Sequence, residues 1–178
     1  NKYSNDESSA ILFELFDLAA DLDYSTLVHL MNFLPEFPHP EGYQVPHDLA
    51  TYLGFASDAE SAKLDKMVAR VNDYYIASNF EQIWNDLEPY RTETNSFLAE
   101  NKPEEAVFTN MERFYDDSYQ KYSIQPILTL WSAGFGIKDS AEDKAIFVLG
   151  PTAKNYDFSD REAYINLAIH EFGHSFVN

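Results

Sequence analysis

The sequence predicts an α+β fold, mostly helical, with a small antiparallel sheet next to a final helix that carries two closely spaced histidines. Three observations lead there. Apolar residues recur at helical spacing from Ser8 to Tyr119, β-forming residues gather between Ser123 and Leu149, and helical spacing returns after Ser159. With 178 residues and 45% hydrophobic content, the chain is long enough to bury one sizeable core and too short to require two, so residues 1–178 are read as one domain.

The elements follow in order. From Ser8 to Met31, Ile11, Leu12, Leu15, Phe16, Leu18 and Ala19 lie at helical spacing, and the polar break from Asp21 to Ser25 divides the stretch into two helices. Leu34 to Pro46 contains Pro35, Pro38, Pro40 and Pro46, each of which fixes its own backbone and lacks a donor, so this stretch is a surface loop. Helical pattern resumes from Ser57 to about Leu98, with Leu64, Met67, Val68, Val71 and Tyr75 on one stripe and Phe80, Ile83, Trp84 and Leu87 on the next. Pro89 and Pro103 bracket the end of that region, and a further helix covers Pro103 to Tyr119.

Ser123 to Phe135 is rich in strand formers, Ile124, Ile127, Leu128, Thr129, Leu130 and Trp131 among them, with Pro126 confining it to a sheet edge or a strand start. Ala145 to Leu149 is a short apolar run closed by Gly150-Pro151. The polar segment Lys138 to Lys144 between them predicts an antiparallel pair. Ser159-Asp160-Arg161-Glu162 has the form of a capping box and starts the final helix.

Charge and composition exclude several classes of function. A formal net charge of −18 leaves no basic patch for phosphate backbones, which argues against nucleic acid as a partner. The chain has no cysteine, so any metal must sit on histidine and carboxylate. No stretch approaches the length of a transmembrane helix, and the opening Asn1-Lys2-Tyr3-Ser4-Asn5 has neither an initiator methionine nor a signal sequence, as in a mature or trimmed product. The aromatic share of 16% is assigned to core packing in a folded globule.

The candidate chemistry lies in His170-Glu171-Phe172-Gly173-His174. Four residues apart on a helix, His170 and His174 share one face, a spacing that suits two ligands of one zinc ion. Glu171 lies about 100° around the helix, placed to act as general base on a zinc-activated water in peptide hydrolysis. The competing reading is a buried helix whose histidines bond internally, since Leu167, Ile169, Phe172, Phe176 and Val177 make it apolar on most sides. Gly173 costs about 1 kcal/mol relative to alanine inside a helix, which predicts a close approach by backbone or substrate at that point.

A catalytic zinc normally takes three protein ligands, and four residues follow His174. The third ligand is expected beyond Asn178. Of the upstream histidines, His29 reads as a satisfied core or boundary residue, and His39 and His47, in the proline-rich loop, read as surface residues.

The run from His170 through Ser175-Phe176-Val177-Asn178 resembles the signature of a zincin-like bacterial family known as a domain of unknown function. The likeness extends to a helical N-terminal segment, the His39-Pro40 loop, aromatic-rich helices around Tyr74, Tyr75, Phe80, Trp84 and Tyr90, and a strand leading to the motif helix. It implies a zincin-type active-site helix and a secreted or cell-envelope zinc metallopeptidase, with His170 and His174 as ligands, Glu171 as catalytic acid/base, and a peptide or protein as substrate. It also implies a carboxylate ligand downstream of the position matched by Asn178. On this reading the strand Ala145 to Leu149 lines the cleft and pairs with an extended peptide. The incomplete ligand set motivates an alternative, a non-catalytic cell-envelope binding protein that keeps the zincin-like shape.

Overall fold

The computed structural model describes residues 5–20, 22–130, 133–151 and 157–177. Among these residues are eight helices and one three-stranded mixed sheet, an α+β architecture. The chain divides into two compact units, Asn1–Asp86 and Leu87–Asn178, each with its own apolar cluster. No helix among the described residues is long and apolar enough to cross a membrane.

The first unit is helical: α1 (Asp6–Ala19), α2 (Tyr24–Phe33), α3 (His47–Tyr52), α4 (Asp58–Ala77) and α5 (Phe80–Asp86). Its helix starts are fixed by local side chains. Asn5 and Ser8 form a reciprocal capping box on α1, Ser57 and Glu60 form another on α4, and Asp23 caps α2 by accepting from the Thr26 N–H. The hydroxyl and N–H of Thr26 hold the Asp23 carboxyl below its usual range. Leu30, Val45, Ala50, Leu64, Met67 and Val68 form the core; of the expected α4 stripe Leu64, Met67 and Val68 are buried, and Val71 and Tyr75 are half-buried. The proline-rich stretch is not helical until His47, where α3 begins, a short helix that periodicity did not foretell.

In the second unit α6 (Glu88–Glu100) carries Pro89 in its first turn, where a missing N–H costs nothing, and α7 (Glu105–Tyr115) ends with Asp116 in the left-handed region at φ 53°. Three strands follow, β1 (Lys121–Pro126), β2 (Gly134–Asp139) and β3 (Lys144–Leu149), and then α8 (Arg161–Val177).

The sheet differs from the predicted antiparallel pair. The run Ser123 to Phe135 is not one strand: β1 ends at Pro126, and β2 begins at Gly134 after an intervening turn. The order is β1-β3-β2, with β3 parallel to β1 and antiparallel to β2, so the sheet is mixed. Pro126 closes an edge strand, as its missing donor requires. The predicted turn does join an antiparallel pair, but the partner of β3 there is β2. Asp139 makes that turn by accepting from the N–H groups of Ala141 and Glu142 at 3.1 and 3.2 Å. Trp131 and Asn178 lie outside the described residues.

Being central, β3 is paired on both sides, and Ala145 through Leu149 are buried on both of its faces. This overturns its expected role as a strand that receives an extended peptide, because no row of free N–H and C=O groups remains on it. Ala145, Phe147 and Leu149 pack with Tyr164, Ala168 and Phe172 of α8 in the core. Phe147 meets Phe172 edge-on, with ring centroids 5.8 Å apart, and lies nearly parallel to Tyr164 at 6.4 Å.

The start of α8 also shifts from the expected one. Asp160, not Ser159, accepts from the third N–H of the helix, that of Ala163, at 2.9 Å, and its carbonyl takes the Tyr164 N–H. Asp160→Ala should therefore lower the stability of the chain by about 1 kcal/mol in urea unfolding. Ser159→Ala should change it by less than about 0.5 kcal/mol. The reverse ranking would return the cap to Ser159.

Candidate functional site

The motif lies in the last turns of α8, and the helix divides its residues sharply. Tyr164, Ala168, Glu171, Phe172 and Ser175 are buried, whereas His170 and His174 are exposed. The split follows the helical period. Residues 164, 168, 171 and 175 recur at three- and four-residue intervals and form one face, while 170 and 174 form another.

The two imidazoles converge. Their Nε2 atoms are 3.2 Å apart and the rings are nearly perpendicular, with an interplanar angle of 87°. Two nitrogen lone pairs cannot face each other at that distance without something between them. Either one ring donates its N–H to the other, or both lone pairs share a cation. Two ring nitrogens bound to one tetrahedral zinc ion at about 2.0–2.1 Å stand about 3.4 Å apart, so the spacing fits shared metal ligation.

Glu171 is 7% exposed, and among the described residues its carboxylate has no hydrogen-bond or ion-pair partner. Its surroundings are set by β2. A Cβ added to Gly134 would lie 2.8 Å from Glu171 Cγ and 3.1 Å from Oε1. One added to Gly136 would lie 1.8 Å from the Glu171 carbonyl oxygen and 3.0 Å from His174 Cβ. The strand therefore passes directly against the motif, and only because these two positions, which share one face of the strand, have no side chain. Buried Ser175 adds a hydrogen bond from its hydroxyl to the Ile137 carbonyl at 3.2 Å, tying α8 to the same strand.

Two tyrosines hold the far side of α8. The Tyr119 hydroxyl donates to the Ser175 carbonyl, and burial is the main reason its pKa is raised. Tyr115 stacks on Phe176, with centroids 4.9 Å apart and planes 7° apart, and its hydroxyl lies 3.0 Å from where a Cβ on Gly173 would stand. The close approach expected at Gly173 is made here by the Tyr115 side chain.

Of the other histidines, His29 and His39 have structural partners. His29 Nδ1 donates to the Ser25 carbonyl at 2.8 Å, a satisfied boundary residue, and His47 is exposed at the start of α3. His39 departs from expectation: it is buried, at 7% exposure, because Phe37 stacks on its ring and Tyr43 tilts against it. Among the described residues no three His, Cys, Asp or Glu side chains gather as a ligand group; His170 and His174 stand as a pair.

Gly134, Gly136, Ser175, Tyr115 and Tyr119 were not singled out from the sequence as neighbours of the motif. The alternation Gly134-Phe135-Gly136 was a usable signal, since glycines two apart in a strand mark a face against which another backbone lies. No family model matches the chain, and no curated protein and no solved structure was found similar to it.

Gly136→Ala should destabilise the chain by about 3 kcal/mol, since the new methyl meets helix backbone that cannot move aside. Gly173→Ala should be close to neutral, because the flexible end of Tyr115 can yield and alanine regains about 1 kcal/mol of helix propensity. Urea midpoints for the two variants check the ranking, and equal midpoints would contradict the packing of β2 on α8.

Proposed function

We propose that the chain is a zinc-dependent peptidase in which His170 and His174 hold the metal and Glu171 is the general base. The observation that supports this most directly is the pairing of convergent Nε2 atoms, 3.2 Å apart, with the unpartnered carboxylate of Glu171, a residue only 7% exposed. A satisfied structural histidine pair would have no use for a carboxylate on the next residue, whereas a metal-activated water needs one beside it.

Zinc in such a site supplies Lewis-acid activation of water and of the scissile carbonyl. The protein's own part is positional. Glu171, fixed between α8 and β2, accepts a proton from the attacking water and returns it to the departing amine. Gly134 and Gly136 keep the space beside it free of side chains, and β2, an edge strand on the motif helix, takes over from β3 the role of pairing with an extended substrate backbone. Part of that strand is already engaged, since the Ile137 carbonyl accepts from Ser175.

Elemental analysis and peptide cleavage test the reading together. The protein should contain one zinc per chain, and His170→Ala should lose both metal and cleavage. Glu171→Gln should keep the zinc while turnover falls by about 10²–10⁴-fold. Retained zinc and cleavage in His170→Ala would sink the proposal. Full metal occupancy with no cleavage of any peptide in a broad library would favour the non-catalytic alternative.

A further inference from the structure

Counted around α8 from His170, Glu171 lies about 100° to one side and Ile169 about 100° to the other, with Gly173 about 60° round on the Ile169 side. Strand β2 packs along the Glu171 flank. Along the opposite flank runs α7, and Val107, Asn110, Met111, Phe114 and Tyr115 of that helix enclose with Ile169 a groove of about 370 Å³. That is within the size range of ligand sites, about 300–1,000 Å³.

Five of the six lining side chains are apolar or aromatic and none is charged, on a chain whose net charge is −18. Val107, Met111 and Phe114 recur at four- and three-residue intervals, the apolar stripe of an amphipathic helix. The inner part of that stripe is covered: Met111 is 7% exposed, and its neighbour in the core, Phe108, meets Phe172 of α8 edge-on at 5.5 Å. The outer end is open. Phe114 is 81% exposed, and Ile169 on the facing helix is 40% exposed. Apolar side chains left bare on both walls of a concave surface favour an apolar occupant, which removes them from water.

Tyr115 joins the groove to the motif. It lines the groove, meets the Phe114 ring edge-on at 4.9 Å, and brings its hydroxyl to 3.0 Å from where a Cβ on Gly173 would stand. At that level of α8 the residue between Ile169 and the imidazoles is Gly173, which puts no side chain in the way. The groove is thus continuous with the face that carries the histidine pair.

We propose that this groove is the specificity pocket of the site and receives one large apolar side chain, aromatic or branched aliphatic, of a peptide laid across His170 and His174. The assignment rests on the peptidase reading. On it, the general base and the backbone-pairing strand occupy one flank of the metal-binding face, and the side-chain pocket occupies the other. A lysine or glutamate at that substrate position would bring its charge among Met111, Phe114 and Ile169 with no counter-ion, whatever attraction the acidic chain exerts on cations in solution.

Cleavage of blocked peptides with one variable position in an alanine background, by the zinc-loaded full chain, tests this. Methyl NMR of Met111 and Ile169 during titration with N-acetylphenylalaninamide accompanies it. Peptides with Phe or Leu should be cleaved with kcat/KM about tenfold or more above those with Ala or Lys. Phe114→Ser, at an exposed position, should lower kcat/KM for the Phe and Leu peptides severalfold and narrow that ratio. Ile169→Trp, which fills the groove, should reverse it in favour of Ala. Zinc content and cleavage of any peptide report on the peptidase reading, whereas the ratio reports on the groove. Equal rates for the Phe, Ala and Lys peptides, or a Phe preference left intact by both variants, would overturn the pocket and leave the peptidase reading standing. If no peptide is cleaved, that reading falls and the methyl shifts decide. Saturable shifts with N-acetylphenylalaninamide and none with N-acetylglycinamide would keep the groove as a site for apolar side chains, and no shift with either would remove it. A dimer in sedimentation that Phe114→Ser disperses would assign the groove to a second copy of the chain and overturn the proposal.

Discussion

The contact of strand β2 with helix α8 is the constraint on which the arrangement of the motif depends. At Gly136 the strand comes so near the Glu171 carbonyl that no side chain fits between them, and the Ser175 hydroxyl holds the Ile137 carbonyl one residue further along. Fixing the helix against the strand fixes its rotation. Glu171, Ala168 and Ser175 then face the sheet, and the helical period leaves His170 and His174 outside. A helix rotated by one residue would bury an imidazole and expose the carboxylate, and neither half of the proposed chemistry would survive.

Around that contact the second unit builds an aromatic core. Phe147 of the central strand lies between Tyr164 and Phe172 of α8, while Tyr115 and Tyr119 brace the helix through Phe176 and the Ser175 carbonyl. Burial raises the Tyr164 pKa to about 12, and its hydroxyl has no hydrogen-bond partner in that core. The first unit is organised differently. Its helix starts are set by Asn5, Asp23 and Ser57, its core is aliphatic, and its aromatic rings gather on the proline-rich loop around His39.

Residues that act through short-range rules were legible in the sequence. The α4 stripe, the break between α1 and α2, the edge position of Pro126 and the four-residue spacing of His170 and His174 each follow from a local period or a missing donor. The errors share a cause as well. Ser123 to Phe135 has strand-forming composition throughout, yet a turn interrupts it, and only pairing with β3 determines which residues are strand. Ser159 and Asp160 are both good caps, and the choice between them is made by where the helix must begin to lay Tyr164 on Phe147.

By itself the sequence determined a mostly helical α+β chain, an acidic surface, and an i, i+4 histidine pair with a glutamate between them, because composition and helical spacing need no partner to be read. Only the tertiary structure decided that β3 is central and β2 the edge strand on the motif helix, and that Glu171 is buried while its neighbouring histidines are not. It also decided that His39, placed by its prolines in a loop, is enclosed. Strand order, helix rotation and burial are set by contacts between residues far apart in the chain, and no local pattern encodes which of several compatible contacts forms.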